Sequence, residues 1–182
     1  MLLIGYFQSW KYAETLISSC NLHRLELKTA TKNYSDALTL IPRAYWRLVH
    51  VRLGDYLSNG DFGLLSPAYF MKQIETQNSA KDMPSLVFTN DKNRLKDMNP
   101  DLSKLVSDLD EHLSSAELIV LCSYASNFVI SNSTFSWWAA YISGRGGIDV
   151  IAPEPWFRYT NSPVELIPPH WVRSMSNYLE LK

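Results

Sequence analysis

The chain has 182 residues, 46% hydrophobic and 13% aromatic, which suffices for the core of one domain or of one domain with a small extra layer. Its 17 Lys and Arg residues nearly balance 18 Asp and Glu residues, so charge gives no basis for binding nucleic acid or an anionic membrane. No apolar segment approaches the about 18 residues of a membrane helix, and no signal-peptide pattern opens the sequence. We therefore expect a soluble cytoplasmic protein, with peripheral association at the inner face of the membrane as the alternative.

Short apolar runs alternate with helical patterns from about Tyr45 onward. The predicted strands are residues 46–51, 85–88, 102–106, 128–130 and 148–152. The predicted helices are residues 68–76, 91–98, 115–123 and 134–143. This alternation favours an α/β fold, a Rossmann-like parallel sheet with helices on both faces. Residues 1–41 are predicted to form a helical leader, and residues 42–182 the main domain.

Polar loops follow the predicted strands at the point where each strand ends. They are residues 52–56, 89–91, 131–136 and 153–156. Because ligands of such sheets bind beyond the carboxyl ends of the strands, we expect these loops to share one cleft.

The loop after the first strand carries groups that suit a nucleotide diphosphate. Arg52 offers a planar fork that can hold two phosphate oxygens. Gly54 lets the backbone approach a ligand closely. His50 can hydrogen-bond a base or ribose, and Tyr56 or Trp156 can stack on a ring.

The loop after the fourth predicted strand leads a row of polar groups into a helix. The row consists of Ser131, Asn132, Ser133, Thr134 and Ser136, with Phe135 between the last two. Unpaired backbone N–H groups and the positive dipole end at the start of that helix also favour phosphate.

Each pattern has a simpler structural interpretation. The serine-rich segment is typical of a helix cap, and Arg52 with Asp55 is typical of a turn with a local ion pair. Asn90 and Asp91 fit an N-cap as well as a ligand contact. The Trp137-Trp138 pair fits packing against the sheet better than contact with a sugar.

Neither the cysteines nor the acidic residues have the spacing of a metal site. Cys122 lies in an apolar run, which favours a buried free thiol over a disulfide with Cys20 and fits a reducing compartment. Asp108 and Asp110, followed by Glu111, favour a solvated acidic turn. We therefore expect no metal.

The order of the motifs resembles glycosyltransferase family 11, the α-1,2-fucosyltransferases. Four motifs of that family have counterparts in this sequence: Gly-Tyr-Phe-Gln-Ser at residues 5–9, His-Val-Arg-Arg-Gly-Asp-Tyr at residues 50–56, Ser-Asp-Asp at residues 89–91, and Ser-Asn-Ser-Thr-Phe-Ser-Trp-Trp at residues 131–138. Residues 150–153 and 168–171 also resemble its closing segments. The resemblance implies transfer of L-fucose from GDP-fucose to the 2-hydroxyl of a terminal galactose, with inversion and without a metal or other cofactor. It also implies the C-terminal donor domain of a GT-B architecture.

The resemblance carries roles onto individual residues. It implies that Arg52 binds the β-phosphate, that His50 lies near guanine, and that Ser133, Thr134 and Ser136 hold phosphate or fucose. Arg52 and Asp55 are the catalytic candidates, although holding the Arg52 loop is the favoured role of Asp55 over that of general base. The full set of substrate-binding candidates is His50, Arg52, Gly54, Tyr56, Asp91, Ser131, Asn132, Ser133, Thr134, Phe135 and Ser136.

The chain departs from the family pattern in three places. Leu53 replaces the second arginine of the first motif. The acidic residue expected before Ser131 is hard to place, because Glu117 is acidic but Leu118 holds the equivalent position. The glycine-rich segment and N-terminal half of the family precede the matched region, so residues 1–41 are interpreted as a remnant of the acceptor domain.

These departures keep a second function open. The alternative is a non-catalytic nucleotide-sugar-binding domain, or a subunit whose partner supplies the missing N-terminal half. A nicotinamide dehydrogenase is disfavoured, because no Gly-x-Gly-x-x-Gly follows the first strand.

Overall fold

The computed structural model describes residues 9–20, 26–42, 45–57, 61–78, 83–143 and 149–180. Residues 5–8 of the first motif and residues 144–148 lie outside these ranges. The strands within them are β1 (Arg47–Val51), β2 (Ser85–Thr89), β3 (Asn127–Val129), β4 (Asp149–Glu154) and β5 (Val172–Met175). The helices are α1 (Trp10–Cys20), α2 (Lys32–Leu40), α3 (Pro67–Asn78), α4 (Lys92–Met98), α5 (Pro100–Ser103), α6 (Ser115–Cys122) and α7 (Thr134–Tyr141).

The five strands form one parallel sheet in the order β2-β1-β3-β4-β5. This confirms the predicted α/β, Rossmann-like class. The bounds of β1 to β4 and of α3, α4, α6 and α7 agree with prediction to within two residues.

Helices cover both faces of the sheet, because the central strands carry apolar side chains on both faces. One face carries Leu48, Phe128 and Val150 side by side, and the other carries Val49, Val129 and Ile151. The first face packs against α1, α6 and α7, and the second packs against α3, α4 and α5. Cys122 lies in the first of these cores as a buried free thiol.

The prediction of a strand at residues 102–106 is wrong. Asn99 caps a short helix there, its side-chain oxygen accepting a hydrogen bond from Leu102 N at 2.7 Å, and Pro100 occupies the first turn of α5. The backbone returns to the sheet only at Val106, which forms an isolated parallel bridge with Val87. The propensity of proline for the first turn of a helix therefore outweighed the apolar residues that follow.

Strand β5 was not predicted from the sequence. It lies at the sheet edge, and its side chains are mostly exposed, with Val172 at 54% and Met175 at 80%. An edge strand of this kind lacks the continuous apolar run of a buried parallel strand.

Helices α1 and α2 pack onto the helices of the sheet domain. Tyr34 and Ala37 of α2 bury against Val120 and Leu121 of α6. On α1, the carbonyl of Trp10 accepts a hydrogen bond from the Tyr141 hydroxyl at 3.0 Å. The domain boundary predicted between residues 41 and 42 stays a prediction. In the part of the chain that the structure describes, no helix has the length and apolarity needed to cross a membrane.

The strand order places a topological switch point between β1 and β3. The chain leaves β1 to form β2 on one side and then crosses to form β3 on the other. In open parallel sheets, ligands bind in the crevice at such a point, outside the carboxyl ends of the strands. The loops that follow β1 and β3 are the two motif loops singled out in the sequence.

Candidate active site

Two adjoining cavities lie at the carboxyl ends of β1, β2 and β3. The larger, which we call the sugar-side cavity, has a volume of about 330 Å³ and is lined by Arg52, Asp55, Tyr56, Phe62, Asn132, Ser133, Thr134, Phe135, Trp156 and Phe157. The smaller, which we call the base-side cavity, has a volume of about 170 Å³ and is lined by His50, Arg52, Phe88, Thr89, Asn90, Asp110, Ser115, Leu118 and Phe135. Arg52 and Phe135 line both, so these two side chains mark the junction.

The guanidinium of Arg52 is held by Asp55 in a two-point contact. Nη2 lies 3.1 Å from one carboxylate oxygen and Nε lies 3.0 Å from the other. The Arg52 side chain is 30% exposed and that of Asp55 is 60% exposed. The pair therefore orients the cationic fork at the cavity junction while leaving it accessible to a ligand.

Gly54 and Asn90 join the loop after β1 to the loop after β2. Gly54 has φ +33°, a conformation that favours glycine, and an added Cβ would lie 2.3 Å from Nδ2 of Asn90. The backbone N–H of Leu53 donates to Oδ1 of Asn90 at 2.8 Å. The Leu53 side chain is fully buried, so the place of the family's second arginine is a core position in this chain.

His50 is a buried, neutral ring on the base-side cavity. Its Nδ1 lies 3.0 Å from the Ser131 hydroxyl, and its ring centroid lies 5.1 Å from that of Phe135. Burial, aided by the positive charge of Arg52, lowers the pKa of His50 to about 3. The ring therefore adds hydrogen-bonding capacity at neutral pH without adding charge.

Half of the row from Ser131 to Ser136 supports the site from within the fold. The Ser131 side chain contacts His50, and the Ser136 hydroxyl donates to the carbonyl of Ser133 at 3.1 Å. Asn132 donates from Nδ2 to the carbonyl of Phe62 at 2.7 Å. These contacts fix the course of the loop.

The other half of the row, together with Asn132, lines the sugar-side cavity. Ser133 is the N-cap of α7, and its side chain makes no capping hydrogen bond. Thr134 and Phe135 follow as the first residues of the helix, whose first-turn N–H groups have no acceptor within a helix. The positive end of α7 and the Arg52 guanidinium therefore face one cavity, an arrangement suited to an anion.

Asp91 has a capping role and lines neither cavity. Its Oδ1 accepts a hydrogen bond from the backbone N–H of Arg94 at 3.0 Å, at the start of α4. Its neighbour Asn90 lines the base-side cavity instead. Tyr56 lines the sugar-side cavity, and its hydroxyl donates to the carbonyl of Asn132 at 2.8 Å.

Several lining residues escaped sequence reasoning. Phe62, Phe157 and Ser115 lie outside the predicted polar loops and reach the cavities through tertiary packing. Asp110 also lines the base-side cavity, and its side chain is only 15% exposed, so the prediction of a solvated turn is wrong at this residue. Leu118, at the position assigned to the family's acidic residue, lines the same cavity. In the loop at residues 153–156, the sequence pointed only to Trp156, as a ring that could stack on a ligand.

The family model for glycosyl transferase family 11 matches residues 5–171, most of the chain. The chain belongs to glycosyltransferase family 11. Among curated relatives, it is 30% identical over 133 residues to an α-1,2-colitosyltransferase of Escherichia coli, covering 69% of this chain and 46% of the relative. It is 25% identical over 155 residues to the O-antigen biosynthesis glycosyltransferase WbnK of Escherichia coli, covering 81% of this chain and 48% of that relative.

The chain spans about half the length of the curated relatives it matches. No solved structure gave a significant match.

Proposed function

We propose that the chain binds GDP-fucose as the donor domain of a GT-B transferase of family 11. In this proposal, L-fucose passes to the 2-hydroxyl of a terminal galactose with inversion and without a metal. The observation that carries the proposal is the shared cavity of Arg52 and the start of α7, since a diphosphate leaving group needs donors fixed in advance.

The donor is oriented by the order of the two cavities. Arg52 stands at their junction, so a diphosphate held there directs the base to one side and the sugar to the other. The base-side cavity contains neutral His50, which suits an uncharged purine. The sugar-side cavity adjoins α7, whose first turn is placed to stabilise the negative charge that grows as the sugar departs.

Aromatic rings favour a deoxy sugar in the sugar-side cavity. The ring centroids of Tyr56 and Phe62 lie 5.0 Å apart, and those of Phe62 and Phe157 lie 5.9 Å apart. Such a wall accepts a methyl group readily and leaves a buried hydroxyl without a partner. Fucose carries this methyl. Colitose, which lacks the 3-hydroxyl of fucose, is the alternative sugar to test, because one relative is named as a colitosyltransferase.

Among the described residues that line the sugar-side cavity, Asp55 supplies the carboxylate. An inverting transfer needs the acceptor hydroxyl to lose its proton as it attacks the sugar carbon. Because both oxygens of Asp55 contact Arg52, we assign Asp55 to orienting the guanidinium rather than to taking this proton.

The alternative function is a nucleotide-sugar-binding domain that does not catalyse transfer by itself. The observation that favours it is the two-point contact between Asp55 and Arg52, which engages the carboxylate found among the described residues of the sugar-side cavity. Positioning of the acceptor provides much of the rate in a two-substrate reaction, so a domain that holds only the donor binds it but turns over slowly. A partner that positions the acceptor would raise the rate of transfer.

Calorimetric titration with GDP, combined with an assay of GDP release from GDP-fucose in the presence of lactose, tests both functions. Binding with turnover supports the transferase, and binding without turnover supports the donor-binding domain. Failure to bind GDP would refute both. The same assay with GDP-colitose identifies the preferred sugar.

A further inference from the structure

The side-chain amide of Asn132 has a fixed orientation on the wall of the sugar-side cavity. Its Nδ2 donates to the carbonyl of Phe62 at 2.7 Å and to the carbonyl of Gly63 at 3.2 Å. Because a carbonyl oxygen can only accept a hydrogen bond, these two contacts require the amide nitrogen on this side. The amide oxygen Oδ1 is therefore turned away from both carbonyls.

Oδ1 of Asn132 is an acceptor that the fold leaves unused. The residue is only 2% exposed, yet no described residue donates a hydrogen bond to this oxygen. Within the described part of the chain, the unpaired side-chain oxygens that are fully sealed from solvent belong to Asp110 and Ser126, so Oδ1 of Asn132 keeps access to the cavity. A nearly buried amide oxygen without a donor is unfavourable, and a ligand that supplies the donor removes this penalty.

The chemistry of this oxygen determines which part of the proposed donor substrate it can bind. An ionised diphosphate presents only acceptors, so it suits the hydroxyl of Ser133, which makes no capping bond and can donate. Oδ1 of Asn132 can only accept, and it therefore needs an N–H or O–H group. A methyl group offers neither. On the sugar side of Arg52, the groups of the proposed donor that can supply this hydrogen are the ring hydroxyls of the sugar.

We propose that Asn132 recognises the transferred sugar by accepting a hydrogen bond from one of its ring hydroxyls. The same amide holds the carbonyl of Phe62, whose ring belongs to the aromatic wall that accepts the methyl group of the sugar. An apolar surface and a polar acceptor therefore lie beside each other, which suits a deoxy sugar that keeps hydroxyls elsewhere on its ring. This inference rests on the proposed function and adds the residue that selects for a hydroxyl of the sugar.

Affinities of the unmodified chain for a set of donors provide the first test. GDP-fucose is compared by calorimetric titration with its monodeoxy analogues, each of which lacks one ring hydroxyl; GDP-colitose is one of them. These ligands share GDP and the methyl group, so at least one analogue should bind roughly 5- to 30-fold more weakly than GDP-fucose, because it leaves Oδ1 without a donor. Equal affinity for all of them would overturn this inference but leave donor binding standing. Absence of binding to GDP itself would refute the proposed function.

Removal of the amide assigns this discrimination to Asn132. In Asn132→Ala, GDP-fucose and the weakly bound analogue should have affinities within about threefold of each other, while GDP should keep a Kd within about threefold of the wild-type value. If this variant fails to fold, Asn132→Ser removes the same amide oxygen and keeps a hydroxyl that can donate to the Phe62 carbonyl, and the same result is expected. An unchanged ratio between the two sugars would overturn the proposal. An equal loss of affinity for GDP would also overturn it, because it would indicate a contact with the ribose.

Tyr56→Phe is the matched control for the course of the loop. It removes the hydrogen bond from the Tyr56 hydroxyl to the backbone carbonyl of Asn132 but keeps the ring and Oδ1. The wild-type ratio between GDP-fucose and the weakly bound analogue should therefore persist, and its loss in this variant would overturn the proposal. The titrations omit the acceptor, and a ratio that appears only when lactose is added would assign Oδ1 to the acceptor sugar and overturn the proposal as well.

Discussion

Replacement of Arg52 by alanine tests the anion site most directly. A guanidinium that holds two phosphate oxygens makes two charge-assisted hydrogen bonds, each contributing about 1.5 to 3 kcal/mol. Binding competes with the Asp55 contact, an exposed ion pair of about 0.2 to 1 kcal/mol. Because the Arg52 side chain is 30% exposed, we take the lower end of the difference between the phosphate contacts and the Asp55 contact. The expected loss of GDP affinity is about 2 to 3 kcal/mol, or roughly 30- to 150-fold in Kd.

The assay is calorimetric titration with GDP, with thermal unfolding of each variant measured in parallel. Loss of an exposed ion pair should change the free energy of unfolding by less than about 1 kcal/mol, so the fold is preserved. Arg173→Ala is the matched control, since Arg173 also pairs with an exposed carboxylate, Glu154, but lines neither cavity. Arg52→Lys should lie between wild type and alanine, because it keeps the charge without the fork. A Kd for Arg52→Ala within threefold of wild type, at unchanged thermal stability, would refute the phosphate assignment.

Three further predictions concern the framework of the site. Gly54→Ala should destabilise the protein by about 1 to 3 kcal/mol in urea unfolding, because the new Cβ meets Asn90 at a positive φ, and an unchanged midpoint would contradict the loop geometry. Since the pKa of His50 is about 3 in the fold and near 6.5 in the unfolded chain, the unfolded chain binds the extra proton between these values. The free energy of unfolding should then fall by up to about 1.4 kcal/mol per pH unit as the pH drops below 6.5. His50→Asn should flatten this slope between pH 6.5 and 5, and equal slopes in the variant and the wild type would argue against a buried neutral ring. Trp137→Phe removes the donor to the Leu166 carbonyl, a 2.7 Å hydrogen bond, and should cost about 1 to 3 kcal/mol in urea unfolding, whereas wild-type stability would show that this bond contributes nothing.

The central elements of the fold were predictable because their local signals agree with their burial. Strand β1 is buried along its whole length, and an uninterrupted apolar run bounded by turn residues indicates such a strand. Trp137 is fully buried, as the apolar sequence of α7 predicted. Strand β5 was not predicted, because an exposed edge strand has no such run. The strand prediction at residues 102–106 was wrong, because the capping of α5 by Asn99 decided the local structure.

The candidate site was predictable where its residues follow strands directly. Arg52 comes immediately after β1, and Ser133 follows β3 after a short loop, so the topology of a parallel sheet is enough to bring them to one edge. Asp110 and Phe157 reach the cavities through the packing of irregular segments, which leaves no periodic mark in the sequence. The helix-capping role of Asp91 was one of two interpretations that the sequence allowed.

Under the proposed function, the partition of the cleft by Arg52 and Phe135 separates the two halves of donor recognition. A substitution among the rings beside Phe62 then alters the space for the sugar without touching the wall that contains Asp110. Sugar preference can therefore be changed by substitution in this scaffold without a change in nucleotide preference.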